Sequence, residues 1–409
     1  MRIALVVHKF PPASYGGTEV YTLNLARALA VRHQVAVFYR DDGTGERFIE
    51  EQAERDGFRV WRVGRAFKAA QASPAALFFD TFFNPELEAS FRRFLDWFKP
   101  DLLHFQHLML LSYRLPALSR GIPRLLTLHD YWFLCANSQL IWPDAQVCRG
   151  KALGLNCARC ATARIGTPAL RLVRPGLAPL FQLRDALVRR AALQIGFFIS
   201  PSHFLRQRYQ TSGFPAQRFH VLENGVDTAR LRSYPRQPAS PGVQRVTYLG
   251  ALAWQKGVHI LVAAARDLPA DRFQVRIYGN PQTFPEYAAQ LQALADPATT
   301  RLPGPLPNAE VGRVLAETDV LAVPSLWYEN SPVVIQEAHA TGTPLLASHL
   351  GALPEKVGRG GLLVPPGDVA AWREALLTWP AGHTFTPEPV LDVAEHTARL
   401  EALYREVLA

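Results

Sequence analysis

The stretch PSLWYENSPVVIQEAHATGTPLLAS, residues 324–348, decides the fold. It follows DVLAVPS, an apolar run that ends in Pro324 and Ser325 and reads as a buried strand. Ser331 is a good N-cap, and Pro332 suits the first helical position. Gly342 then stops the helix and Pro344 prevents its return. On this reading Glu329 stands in the loop before a helix start, and Glu337 lies in that helix's second turn. Between them, around Asn330, Ser331, Pro332 and Val333, the unpaired backbone N–H groups of the first helical turn offer an anion site. Two carboxylates beside it can accept hydrogen bonds from hydroxyls. An anion joined to a polyol is the chemistry of a nucleotide-sugar.

Outward from this segment, strand and helix patterns alternate, which implies a mostly parallel sheet with helices on both faces. In the first half, strands are expected at Ile3–Val7, Val35–Tyr39, Arg59–Val63, Leu102–Gln106, Leu125–Leu128, Ile195–Ser200 and Phe219–Glu223. The second half restarts at Val246–Gly250 and continues at Val275–Gly279, Val320–Pro324, Leu345–Ser348 and Leu362–Val364. SYPRQPASPGVQ, residues 233–244, reads as the linker between them. The expected architecture is α/β, with two doubly wound, Rossmann-like domains facing a central cleft: residues 1–235, residues 236–385, and a last helix within 386–409. Ligands then sit at the carboxyl ends of both sheets.

A length of 409 residues suits two such domains. MRIALVVHKF is a first strand with no basic region before it, and no apolar run reaches 18 residues. The expected location is the cytoplasm or the inner membrane surface. The formal net charge of +9 is uneven. Residues 1–235 hold 31 Lys and Arg against 18 Asp and Glu, and residues 236–409 hold 13 against 17. A basic field concentrates anionic partners, but no nucleic-acid motif accompanies it. Residues 164–190 interleave arginines with leucines, valines and a phenylalanine, which suits either an ordinary amphipathic helix pair or one docked on an anionic membrane.

The Glu329–Glu337 segment resembles the Glu-x7-Glu signature of retaining nucleotide-sugar glycosyltransferases of the family four type, which have the GT-B fold. The resemblance runs along the chain: HKFPPASYGGTEVYTLNLARAL, ISPSHFLRQRYQ, VLENGVD, YLGALAWQKGVHILVAAA and GALPEKVGRGGLLVPPGD stand in the family's order. It implies a UDP- or GDP-sugar donor and a glycan, lipid-linked or small-molecule acceptor. It also implies roles for single residues. Gly16 and Gly17 border the donor diphosphate, and Lys256 neutralises the leaving group. Glu337 holds the ribose, Glu329 holds the transferred sugar, and His129 stands beside the reaction centre. Gly250, Gly279 and Gly304 are placed at further loop openings. The chain departs from the family in one place: Ala251 follows Gly250 where many relatives carry arginine.

Each of these residues also has a plain structural reading: a turn at Gly16, a surface lysine, a packed histidine, carboxylates that favour a helix dipole. A phosphorylase, an epimerase or a non-catalytic nucleotide-sugar-binding module would use the same scaffold. No Asp-x-Asp pair is present, so lysine and helix N-termini are expected to stabilise the departing diphosphate without a metal ion. The four cysteines, Cys135, Cys148, Cys157 and Cys160, fall within one insert at 135–160. Their spacing allows a structural zinc site, buried thiols or a redox pair.

Overall fold

The computed structural model describes residues 1–44, 48–67, 78–144, 146–166, 168–237, 242–379 and 385–409. It divides into two compact units.

The first unit is built on an eight-stranded sheet. Its strands are β1 (Arg2–Val7), β2 (Gln34–Arg40), β3 (Ile49–Arg55), β4 (Phe58–Gly64), β5 (Leu102–Phe105), β6 (Arg124–Thr127), β7 (Phe197–Ser200) and β8 (Phe219–Val221). They lie in the order β8-β7-β6-β5-β1-β2-β4-β3. All pairings are parallel except β3 with β4. In β1, Ile3–Val7 form a continuous buried apolar run, as expected of a parallel strand covered on both faces. The edge strand β3, IEEQAER, was not expected. It is mostly exposed and polar, so no apolar alternation announces it, and its charges suit an unpaired edge.

The second unit carries six parallel strands: β9 (Gln244–Leu249), β10 (Phe273–Tyr278), β11 (Thr300–Gly304), β12 (Val320–Val323), β13 (Leu345–Ser348) and β14 (Gly361–Val364). Their order is β11-β10-β9-β12-β13-β14. β11, TRLPG, was also missed, since it has little hydrophobic signal.

In each sheet the strand order reverses once beside the first strand: between β1 and β5, and between β9 and β12. At such switch points the loops at the strands' carboxyl ends diverge and leave room for a ligand. His8 and Gln106 follow β1 and β5. Gly250 and Pro324 follow β9 and β12.

The domain limits differ from the expected ones. The second unit begins at Gly225 and includes Ile141–Cys148, part of the cysteine insert. The reason lies in backbone partners. Val226 donates to the Leu391 carbonyl at 3.0 Å, Arg232 Nε to the Ala340 carbonyl at 3.1 Å, and Gln237 N to the Ala316 carbonyl at 2.9 Å. The first part of the expected linker is thus bound into the second unit. Residues 238–241 of that linker lie outside the described residues.

The last helix, Val393–Leu408, belongs to the first unit. His396, Thr397, Leu400, Glu401 and Tyr404 form its buried face, at the spacing of one helical stripe. Among the described residues no helix is long and apolar enough to cross a membrane.

Candidate functional site: two switch-point clusters

In the second unit the chain leaves β9 through Gly250 and Ala251, then makes a tight turn at Trp254–Lys256 before the Val258–Ala265 helix. Gly257 has φ +67, and a Cβ there would overlap the carbonyl oxygen of Pro324. Only glycine lets the Lys256 turn press against the end of β12. Leu326 N donates to the Gln255 carbonyl at 2.9 Å and ties the two loops together.

This packing brings Lys256 to Glu329. The Lys256 ammonium lies 2.7 Å from Glu329 Oε1. Ser325 Oγ and Trp327 Nε1 donate to the same oxygen at 2.6 and 2.8 Å. Glu329 is 4% exposed, and its backbone is braced by Ala352 N donating to its carbonyl at 3.0 Å. The anionic form of this carboxylate is well supplied with donors. Ser325 and Trp327 were not singled out in the sequence; their signal was only proximity to Glu329.

The following helix runs from Val333 to Thr341, with Pro332 as its N-cap and Gly342 as a left-handed C-cap. The expected N-cap, Ser331, is therefore one residue too early. Pro332 has ψ 119 and sits outside the helix, so proline's fixed φ serves the cap position here. Ser331 Oγ is buried and has no hydrogen-bond partner among the described residues. Glu337 differs from Glu329. Burial raises its pKa from 4.5 to about 7, and the charge of Arg230 opposes the rise.

Gly250, Gly279 and Gly304 stand side by side at the ends of β9, β10 and β11. Gly250 N donates to the Tyr278 carbonyl at 3.1 Å, and Gly279 N to the Gly304 carbonyl at 2.9 Å. A Cβ on Gly279 would collide with the Gly250 carbonyl. The three form one close-packed strip of backbone.

In the first unit Gly16 caps the Gly17–Ala30 helix without a side-chain bond. A Cβ on Gly16 would strike the Glu19 carboxylate, whereas one on Gly17 would meet nothing within 4 Å. Glu19 accepts from Ser14 Oγ at 2.9 Å and lies 3.6 Å from His8 Nε2. The His8 and His107 rings are 4.6 Å apart. The Met109 amide donates to His107 Nδ1, so its other nitrogen carries the proton and donates to Asp130 at 2.9 Å. His129 Nε2 donates to Gln106 Oε1 at 2.9 Å. His129 keeps partial solvent contact as a residue, but its ring is enclosed, and desolvation together with His107 lowers its pKa to about 3. It is a neutral imidazole at ordinary pH.

Behind His129 lie two short sets of hydrogen bonds. His396 Nδ1 donates to the Glu223 carbonyl at 2.7 Å, which leaves Nε2 to accept from the Tyr21 hydroxyl at 2.8 Å. His104 pairs through Nε2 with the Thr127 hydroxyl and through Nδ1 with the Tyr404 hydroxyl, both at 2.7 Å. The Glu223 carbonyl thus fixes the His396 tautomer and the direction of the Tyr21 hydroxyl. The Tyr21 ring lies edge-on to His129 at 5.0 Å. Tyr21, His104 and His396 carry no short motif, and sequence reasoning missed them.

The zinc expectation does not find its ligand set. All four cysteines are half-buried, and among the described residues no three His, Cys, Asp or Glu side chains gather to hold a metal ion. Cys157 and Cys160 share a face of the Leu155–Ile165 helix, while Cys135 lies in the turn after β6. The buried Arg184 guanidinium, stacked on Trp132 at 4.8 Å, is close enough to Cys135 and Cys157 to feel both.

Residues 15–230 match the family described as Glycosyltransferase Family 4, and residues 243–379 match Glycosyl transferases group 1. The chain belongs to glycosyltransferase family 4. The alpha-maltose-1-phosphate synthase of Mycolicibacterium smegmatis is 28% identical over 386 residues, covering 89% of this chain and 84% of the relative. The glycogen synthase of Mycobacterium tuberculosis is 35% identical over 165 residues, only 38% of each chain. Among solved structures, the sucrose-phosphate synthase of Thermosynechococcus elongatus superposes with TM-score 0.68 at 20% identity, covering 99% of this chain and 98% of its own. Anabaena HepE in complex with UDP and glucose gives TM-score 0.65 at 17% identity, covering 99% of each chain. These likenesses establish the GT-B fold with its two Rossmann-like domains.

Proposed function

We propose that this family 4 member is a retaining, metal-independent glycosyltransferase that moves a sugar from a UDP- or GDP-sugar to a glycan or lipid-linked acceptor in polysaccharide or glycoconjugate synthesis. The observation that carries the reading is the Lys256–Glu329 pair at the β9/β12 switch point, with Glu337 one helical turn into the next element. The complexes of HepE with UDP and with UDP-glucose support the donor class.

Each group has a part. As the bond from the sugar carbon to the diphosphate breaks, negative charge grows on the leaving oxygen. The Lys256 ammonium and the first N–H groups of the Val333–Thr341 helix stabilise that charge. Glu329 accepts from the sugar's hydroxyls and Glu337 from the ribose. Neutral His129, its Nε2 proton given to Gln106, adds no charge of its own near the transferred sugar. Attack by the acceptor hydroxyl on the face that the diphosphate leaves, with the hydroxyl proton passing to the departing diphosphate oxygen, gives retention.

The acceptor side suits a membrane surface. Leu153, Leu155, Ile165, Leu172, Val173 and Leu183 are exposed, Leu172 at 86%. Exposed Arg159, Arg164, Arg171 and Arg190 lie among them. Apolar side chains between arginines match an anionic lipid interface, which fits a cytoplasmic enzyme working at the inner membrane surface.

The test is turnover of a UDP- and GDP-sugar panel with EDTA present, with the product's anomeric configuration read by NMR. Retained configuration and undiminished turnover in EDTA are expected. An inverted product, or activity restored only by magnesium, overturns the reading. Co-sedimentation with phosphatidylglycerol vesicles at low salt, lost at 0.5 M salt or with phosphatidylcholine alone, tests the surface.

A further inference from the structure

Trp327 makes two different contacts with the two charges of the second unit. Its ring face lies 5.1 Å from the Lys256 ammonium. Its ring N–H donates to Glu329 Oε1 at 2.8 Å. A single half-buried indole thus touches the cation through its π face and the anion through its edge.

The arrangement answers a physical problem. A lysine carries its charge on a flexible four-carbon stem, and immobilising it costs rotamer entropy. An ion pair with Glu329 alone would hold the ammonium by consuming its N–H donors. Attraction to an aromatic face acts on the charge as a whole and leaves N–H groups for an incoming anion. On the carboxylate, Lys256, Ser325 and Trp327 all bind Oε1, so Oε2 receives none of these three donors. One oxygen anchors Glu329 and the other remains for a ligand's hydroxyl.

We propose that Trp327 is a positioning residue of the donor site, aiming the Lys256 ammonium at the diphosphate with its ring and fixing the Glu329 carboxylate with its N–H. This rests on the reading that Lys256 meets the donor's diphosphate.

The two contacts separate by substitution. Trp327→Leu removes both, and Trp327→Phe keeps a ring face but loses the N–H. Calorimetric titration with UDP, GDP, UMP and GMP reads the diphosphate separately from the nucleoside. Trp327→Leu should weaken the bound diphosphate about 10-fold and the matching monophosphate less than about twofold. Trp327→Phe should keep diphosphate affinity within about threefold and lower kcat about 10-fold at unchanged donor KM, because the lost hydrogen bond serves Glu329. In the unsubstituted protein the Lys256 ε-methylene protons should be shifted upfield by the ring current, which tests the geometry without any variant. Equal weakening of mono- and diphosphate by Trp327→Leu, or an unshifted Lys256 resonance, overturns the proposal. Failure of the unsubstituted protein to bind either UDP or GDP overturns the donor reading itself, and the role of Trp327 with it.

Discussion

Replacing Glu337 by glutamine should stabilise the protein at alkaline pH and weaken donor binding at the same time. The carboxyl's pKa is raised from 4.5 to about 7 by burial. A group whose pKa is higher in the folded state contributes stability that is complete below the unfolded value and is lost as pH rises through the folded one. At about 1.4 kcal/mol for each tenfold change in proton affinity, the span from 4.5 to about 7 corresponds to roughly 3 kcal/mol. Glu337 keeps some solvent contact, so about 2 kcal/mol is the working figure after screening. At pH 8.5 Glu337→Gln should therefore resist urea better by about 2 kcal/mol, and the gain should vanish near pH 5. Against this, the charged acceptor that the proposed ribose role requires is lost. Hydrogen bonds to charged groups contribute about 1.5–3 kcal/mol, so affinity for UDP or GDP should fall about 10- to 100-fold at pH 8.5. Urea unfolding followed by circular dichroism at both pH values, with titration calorimetry, measures both effects. A variant no more stable than the parent at pH 8.5, or a stability difference independent of pH, refutes the burial argument. Unchanged nucleotide affinity refutes the ribose role.

Glu329→Gln should leave the melting temperature nearly unchanged and lower turnover about 100-fold or more, because the anion that the three donors hold is lost; initial-rate measurement decides it. Gly257→Ala should cost about 3 kcal/mol or more in urea unfolding, since a Cβ at φ +67 meets the Pro324 carbonyl; recovery of parental stability would show that the Lys256 turn is not seated as described. Tyr21→Phe should cost about 1–2 kcal/mol by leaving the buried His396 Nε2 without its donor, and should be checked by urea unfolding at pH 8. His104, His129 and His396, with pKa values of about 3, 3 and 4 against 6.5, are depressed in the folded state, so the unfolded chain takes up protons first. Stability should fall as pH drops from about 6.5 towards 4, at up to about 1.4 kcal/mol per pH unit for each, and a flat acid profile would contradict their burial.

Much of this was legible in the sequence because parallel strands covered on both faces are written as unbroken apolar runs. LVV after Ala4, VLAV at 320–323 and LLAS at 345–348 need no context to be read as strands. The end of the helix after VLAV was legible too: Gly342 stops it as expected, whereas the close approach at Gly257 shows only in the fold. What failed to show was of two kinds. β3 and β11 carry edge chemistry rather than core chemistry, so polarity hid them. The unit boundary was misplaced because a Pro- and Ser-rich segment reads as a linker whether or not its backbone finds partners, and here Arg232, Arg236 and Gln237 bind it down. Tyr21, His104, His396 and Tyr404 were invisible for a further reason. They are joined across as many as 375 positions, and no local pattern encodes such a pairing.

The same geometric event explains why chemistry gathers in both sheets. Each sheet starts with a strand that takes neighbours on both sides, and at the switch point the loops leaving that strand and one neighbour diverge. Backbone amides and short loops are then exposed where two helices begin, and polar side chains can stand there without interrupting the ladder. In the second unit the result is charged: a lysine and a glutamate held by an indole, with a second carboxyl kept half-protonated near neutrality. In the first unit imidazoles prevail: burial keeps His129 and His396 neutral, and protons are assigned by a backbone carbonyl on His396 and by an amide and the Asp130 carboxylate on His107. A charged cluster suits binding a diphosphate and stabilising its departure. Neutral, directionally fixed imidazoles suit handling hydroxyls without competing for that diphosphate. The division of labour proposed for the two units therefore follows from their electrostatics.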